Sequence, residues 1–171
     1  IGWLNWIRKQ RNFNIEKIAV CGNSGGGALG LFLASVVPEK FSVLISSGYP
    51  STFEYVARKE KRHCHCNIVP GIIGKVEMWQ VLGCFAPKPM YLLQGKSDEF
   101  FPVDIFYRVC RQVGDVYHES KVSVNFKADV FNGTHDWDDT RILGTAQYLC
   151  RQFDTFCKQW DEFMGSTRLI A

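Results

Sequence analysis

Residues 22–27 (Gly-Asn-Ser-Gly-Gly-Gly) join two different apolar patterns, and this junction constrains the chain more than any other feature. Before it, residues 17–21 (Lys-Ile-Ala-Val-Cys) read as a short apolar strand. After it, residues 25–37 are apolar all round and stop before Pro38, which predicts a buried helix. A strand that turns directly into a helix needs glycine on both sides of the turn, because a Cβ there would keep the two backbones apart. Gly22-Asn23-Ser24-Gly25-Gly26 also matches G-x-S-x-G, where a serine stands on a strained strand-to-helix turn with its hydroxyl above the sheet. A phosphate-binding glycine loop is the competing reading. The segment lacks the Lys-Ser/Thr ending of a P-loop and the G-x-G-x-x-G spacing of a dinucleotide loop.

The rest of the chain continues the alternation. Residues 1–10 read as a helix with Trp3, Leu4 and Ile7 on one face. Residues 41–46 and 90–94 are further apolar strands, and 103–113 a helix. Val122, Val124, Phe126, Ala128 and Val130 alternate with polar residues, which predicts a half-buried strand over 122–130. A last helix over 139–163 carries an apolar stripe of Ile142, Leu143, Ala146, Leu149, Phe153, Phe156 and Trp160. Residues 49–86 are different, mixing basic, Cys and His residues with Pro70, Gly71 and Gly74. They read as a helical excursion that returns through a helix over 75–82. The chain is therefore α/β in class, with about four mostly parallel strands and helices on both faces. Its 171 residues suggest one domain, residues 1–171.

Composition removes several function classes. Net charge is +3 with scattered cations, and the densest basic run, residues 58–62, contains a Glu; it reads as a solvated helix face, not a nucleic-acid patch. No apolar run reaches the roughly 18 residues a membrane helix needs. Seven cysteines at no framework spacing behave as small hydrophobes and favour a reducing, cytoplasmic compartment. His63-Cys64-His65-Cys66 has no second ligand pair at zinc spacing, so packing or a pocket wall is favoured over metal. The Asn132-Gly133-Thr134 sequon precedes a candidate catalytic histidine, where a glycan would obstruct.

A serine hydroxyl is a poor nucleophile until a base takes its proton, and the base needs an orienting acid. On this kind of sheet the order is Ser, Asp/Glu, His. Asp98 follows the third strand and His135 the last, so both lie at C-terminal strand ends beside Ser24. The backbone N–H of Gly25 is the candidate oxyanion donor. Other readings exist: Asp98 as a turn residue before Pro102, His135 as a surface loop histidine, and Glu99 or Asp136 as the acid. His63, His65 and His118 are poorer bases, the first two lying in the excursion and the third preceding the last strand.

These residues together resemble a family. Gly22 to Gly27, Cys64-His65-Cys66-Asn67-Ile68-Val69-Pro70-Gly71, Ala86-Pro87-Lys88-Pro89, Asp98-Glu99-Phe100-Phe101-Pro102 and Gly133-Thr134-His135 resemble the α/β-hydrolase superfamily. The likeness is to its acetyl-xylan-esterase-like and dienelactone-hydrolase-like branch. It implies the C-terminal half of an α/β-hydrolase fold, with Ser24 as nucleophile, Asp98 as acid and His135 as base. It also implies hydrolysis of carboxylic esters, often acetyl esters of sugars, without a cofactor. Tyr49, Phe53, Met78 and Trp79 are the expected pocket walls. The resemblance further implies an N-terminal half, or a self-association partner, that covers the strand edge at 17–21 and brings the second oxyanion donor. Two other functions fit the same residues: a serine peptidase of the prolyl-oligopeptidase kind, and a non-catalytic interaction module.

Overall fold

The computed structural model describes residues 2–58 and 63–153, apart from the Cys66 side chain. Its elements in chain order are α1 (Gly2–Ile7), β1 (Ala19–Asn23), α2 (Gly25–Val36), β2 (Val43–Ser47), α3 (Phe53–Val56), α4 (Met78–Gly83), β3 (Met90–Gly95), α5 (Val103–Glu119), β4 (Phe126–Phe131) and α6 (Asp139–Phe153). The four strands form one sheet in the order β1-β2-β3-β4, and every pair is parallel. Parallel neighbours require a crossover, and α2, the α3–α4 excursion and α5 provide the three.

Strand composition follows burial on both faces. Every residue of β2 and β3 is buried. Leu44, Met90 and Leu92 point to the larger core, with Leu31, Leu82, Phe106 and Val109 from the helices. Val43, Ile45, Tyr91 and Leu93 point to the opposite face, where Tyr148 of α6 covers them. The period of two within an unbroken apolar run is what a doubly covered strand requires.

Several boundaries differ from the sequence reading. The last strand begins at Phe126, not at residue 122: Lys121 takes a left-handed φ of 59°, and Val122 N–H donates back to Tyr117 O at 2.9 Å. That closes α5 at Glu119 and leads into a 3₁₀ turn over Ser123–Asn125, which leaves Val124 90% exposed. Helix α4 starts at Met78 because Glu77 and Gln80 form a reciprocal capping box. Trp3 does not share a buried face with Leu4; it is exposed, whereas Leu4 packs on the core. Helix α2 is not buried all round, since Leu29 and Val36 face outward and are 63% and 75% exposed. The end of the predicted last helix (154–163, with Phe156 and Trp160) and most of the basic run (59–62) lie outside the described residues. No helix among the described residues is long and apolar enough to cross a membrane.

Among the described residues, strand β1 pairs with β2 and with no strand on its other side. Phe13, Ile15, Leu29 and Val36, on the segment before β1 and on α2, are exposed.

Candidate active site

Ser24 sits between β1 and α2 with φ 54° and ψ −121°, a backbone conformation that non-glycine residues rarely adopt. Its N–H donates to Ser47 O at 2.9 Å, and its carbonyl accepts the first helical bond, from Ala28. The side chain makes no capping hydrogen bond, so the hydroxyl is not spent on the helix. The glycines explain how the turn closes. A Cβ on Gly22 would strike the backbone of Gly26 and Gly27, and one on Gly27 would lie 2.9 Å from both Ser46 Oγ and Ser47 O. Gly26, the second glycine of the G-x-S-x-G pattern, has open space at its Cβ position. The Gly25 N–H belongs to the first turn of α2, where no helical carbonyl can accept it.

Asp98 lies in the turn after β3 with its side chain fully buried. Oδ1 accepts the N–H groups of Phe100 and Phe101, at 2.9 and 3.0 Å. Oδ2 lies 2.8 Å from His135 Nδ1. The carboxylate is thus fixed by backbone on one oxygen and meets the imidazole with the other. Nδ1–H donating to Oδ2 leaves Nε2 as the free acceptor of the ring. Of the alternative acids, Glu99 is exposed, and Asp136, also exposed, accepts from Thr134 Oγ1. His118 and His65 are exposed away from this pair, while His63 packs on Phe101 at 4.8 Å.

The loops carrying Asp98 and His135 are joined. Lys96 N–H donates to Phe131 O at 2.8 Å and Ser97 N–H to Gly133 O at 2.9 Å, extending the β3–β4 pairing past the sheet. Asn23 Nδ2 donates to His135 O at 3.1 Å and so ties the histidine to the residue before Ser24. Gly48 (φ 58°) floors the imidazole: a Cβ there would meet His135 Cε1 at 3.2 Å and Asn23 Oδ1 at 2.8 Å. The histidine ring is flanked by Phe100 and Phe101, at centroid distances of 4.9 and 5.6 Å.

Sequence reasoning missed three supports. Arg141 of α6 is fully buried, donates through Nη2 to Thr134 O, and has Asp138 Oδ2 3.8 Å from its Nε. Asn23 is an unconstrained position in the G-x-S-x-G pattern, and Gly48 gives only the general turn signal of glycine after a strand. The Tyr55 hydroxyl is buried without a hydrogen-bond partner among the described residues. Burial first, then the carboxylates of Asp104 and Asp98, push its pKa up.

Of the four expected pocket residues, Tyr49 and Met78 lie deeper than a wall. Tyr49, Phe53 and Met78 are buried in the main core, and Trp79 packs against it. Tyr49 backs the site at one remove, its ring 5.6 Å from that of Phe101. Phe53 contributes to a shallow recess barely large enough for one water, shared with Val56, Asn67, Ile68 and Ile72. That recess is lined from α3 and the 67–73 segment.

No protein-family model and no curated protein sequence matches the chain. Solved structures do. The methylesterase BT1017 superposes with a TM-score of 0.69 at 15% identity, over 87% of this chain and 32% of its own. A family 15 carbohydrate esterase, a glucuronoyl esterase from Caldicellulosiruptor kristjansonii, gives 0.70 at 14% identity, over 88% of this chain and 47% of its own. Est1E from Butyrivibrio proteoclasticus gives 0.62 at 15% identity, over 92% and 68%. The chain spans about a third to a half of the length of the first two. Over most of its described length it has the α/β-hydrolase fold, to which its parallel sheet and strand-turn-helix junction at Ser24 correspond.

Proposed function

We infer that this chain carries the catalytic residues of a serine esterase acting on short-acyl esters of carbohydrates or similar alcohols. The observation that carries the reading is the Asp98–His135 contact at 2.8 Å, tethered through Asn23 to a serine held at φ 54° on a helix N-terminus. In the reaction, Ser24 Oγ attacks the ester carbonyl carbon while its proton passes to His135 Nε2. The carbonyl oxygen becomes an oxyanion, for which Gly25 N–H is one donor, worth about 3 kcal/mol in sites of this kind. The C–O bond then breaks as Nε2 returns the proton to the leaving alcohol, giving an acyl-serine. Water attacks that ester with Nε2 as base, and the proton goes back to Ser24 as the acid departs. Asp98 holds the imidazole in the tautomer this sequence needs.

The neighbours' named activities, methylesterase and glucuronoyl esterase, support a carboxylic ester as substrate, and the second, a carbohydrate esterase, supports one that contains a sugar; placing the sugar on the alcohol side is part of the proposal. The preference for acetyl is part of the proposal. So is the partner of β1: a further segment of the hydrolase fold, or a second copy, covers the edge at residues 17–21 and brings the second oxyanion donor. The unpaired strand and the exposed Leu29 and Val36 support this.

A fluorophosphonate probe tests the reading in the complete protein. Labelling that maps to Ser24 and disappears in Ser24→Ala and His135→Ala is expected, with turnover of acetyl esters lost in Ser24→Ala. Cleavage of peptide amides in preference to esters would replace the esterase by a peptidase. A folded protein without labelling would leave a non-catalytic module.

A further inference from the structure

Two adjacent phenylalanines follow the acid, and they have opposite fates. Phe101 is 1% exposed and packs against Tyr49 and His63. Phe100 is 48% exposed, although its backbone N–H is fixed by Asp98 Oδ1 at 2.9 Å. Its exposed ring is not remote from the chemistry. Its centroid lies 4.9 Å from that of the His135 imidazole, with the planes 59° apart.

The direction of proton transfer says what lies beside it. Nδ1 of His135 is occupied by Asp98, so Nε2 is the atom that serves the leaving oxygen, within about 3 Å of it at the moment of transfer. The carbon skeleton of the leaving alcohol therefore extends from a point next to the imidazole. The Phe101 flank is closed by core packing, and the floor is the backbone of Gly48 with Asn23. Of the two phenylalanine rings beside His135 among the described residues, Phe100 is the exposed one. Its position is set through backbone hydrogen bonds, so the side chain is free to serve recognition without bearing on the acid.

We propose that Phe100 is the alcohol-side platform of the site, and that the preferred esters are those of alcohols presenting a flat, apolar ring face. The C–H face of a pyranose and an aryl ring share that chemistry; ethanol and methanol lack it. An aromatic surface of this kind gains from contact area and ring geometry and not from charge. The proposal rests on the esterase reading above and adds the substrate class to it.

The test uses the complete protein and three acetyl esters: a 6-O-acetyl methyl glucoside, benzyl acetate and ethyl acetate. Wild type, Phe100→Ala and Phe100→Trp are compared by the ratio of kcat/KM for each ring ester to that for ethyl acetate. Wild type is expected to favour at least one ring ester. Phe100→Ala is expected to lower that ratio about tenfold, mostly through KM, and Phe100→Trp to keep it. A fall confined to the glucoside identifies a sugar alcohol; a fall confined to benzyl acetate identifies an aryl alcohol. An unchanged ratio in Phe100→Ala overturns the platform, as does an equal loss on all three esters, which would make Phe100 a support of His135. If wild type hydrolyses none of the esters and takes no fluorophosphonate, the esterase reading fails first and the alcohol assignment falls with it.

Discussion

The two glycines of the G-x-S-x-G pattern look equivalent in sequence, yet the structure predicts opposite outcomes when each is replaced by alanine. In Gly22→Ala the new methyl is driven into the backbone of Gly26 and Gly27, which belong to the first turn of α2 and have no rotamer to yield. Overpacking of this kind costs about 3 kcal/mol, the upper end for an added methyl, because backbone has to move. In Gly26→Ala the methyl meets nothing within 4 Å and the φ is not left-handed. Alanine there gains helix propensity, about 0.5 kcal/mol after discounting the interior value for a first-turn position. For a domain of this size each kcal/mol moves Tm by about 2–4 °C, so the two variants should melt about 10 °C apart. The assay is a thermal melt by circular dichroism, paired with the rate of fluorophosphonate labelling at Ser24. Gly22→Ala should melt early and label slowly, because opening the elbow displaces both Oγ and the Gly25 N–H; Gly26→Ala should keep both properties. Melting temperatures within about 2 °C of each other would refute the reasoning, since the closeness of strand and helix would then not depend on Gly22.

Other expectations concern Arg141 and the alkaline range. Arg141→Leu removes the donor to Thr134 O beside the base; a stability loss of about 1–3 kcal/mol in a urea melt is expected. The kcat loss, on the order of 10²-fold with KM nearly constant, should be partly restored in Arg141→Lys. Stability should fall above pH 9. Burial pushes the Cys110 thiol up to about 12, and burial also raises the phenols of Tyr117 and Tyr148. The folded chain thus keeps protons that the unfolded chain releases. Their contribution is complete below the unfolded thiol value of about 8.5 and is lost as pH climbs toward 12. A urea midpoint at pH 10.5 equal to that at pH 8 would contradict this.

Much of the architecture could be read from periodicity because the sheet is buried on both faces. Apolar runs such as residues 43–47 and 90–95 leave a strand few alternatives, and the helices between them fix parallel order. Ser24, Asp98 and His135 were legible for a related reason: each stands at a strand end, and strand ends were the best-located points in the chain. The misreadings share a cause too. Val122 and Val124 alternate like a strand, but Lys121 turns the chain by adopting a conformation its side chain gives no sign of. Leu29 and Val36 read as core because hydrophobicity reports what a surface prefers to meet, not whether the neighbour is present. Arg141 was invisible since a cation in a helical stripe reads as solvated, and only the fold reveals the Thr134 carbonyl that receives it. Tyr49 and Met78 were placed at a wall when the excursion folds them beneath it.

The hydrogen bonds that run past the ends of β3 and β4, from Lys96 to Phe131 and from Ser97 to Gly133, have a mechanical meaning. They make Asp98 and His135 one rigid cassette, so a disturbance arriving through either strand shifts the carboxylate and the imidazole in unison. Ser24 follows a different strand, and among the described residues its side of the site is joined to that cassette by the Asn23 amide and, through β2, by the Ser24 N–H bond to Ser47 O. In the proposed reaction the gap between Ser24 and the pair is then the softer coordinate. On the proposed mechanism, variation in β1 or β2 would tune the rate along that coordinate while the Asp98–His135 contact is kept by β3 and β4.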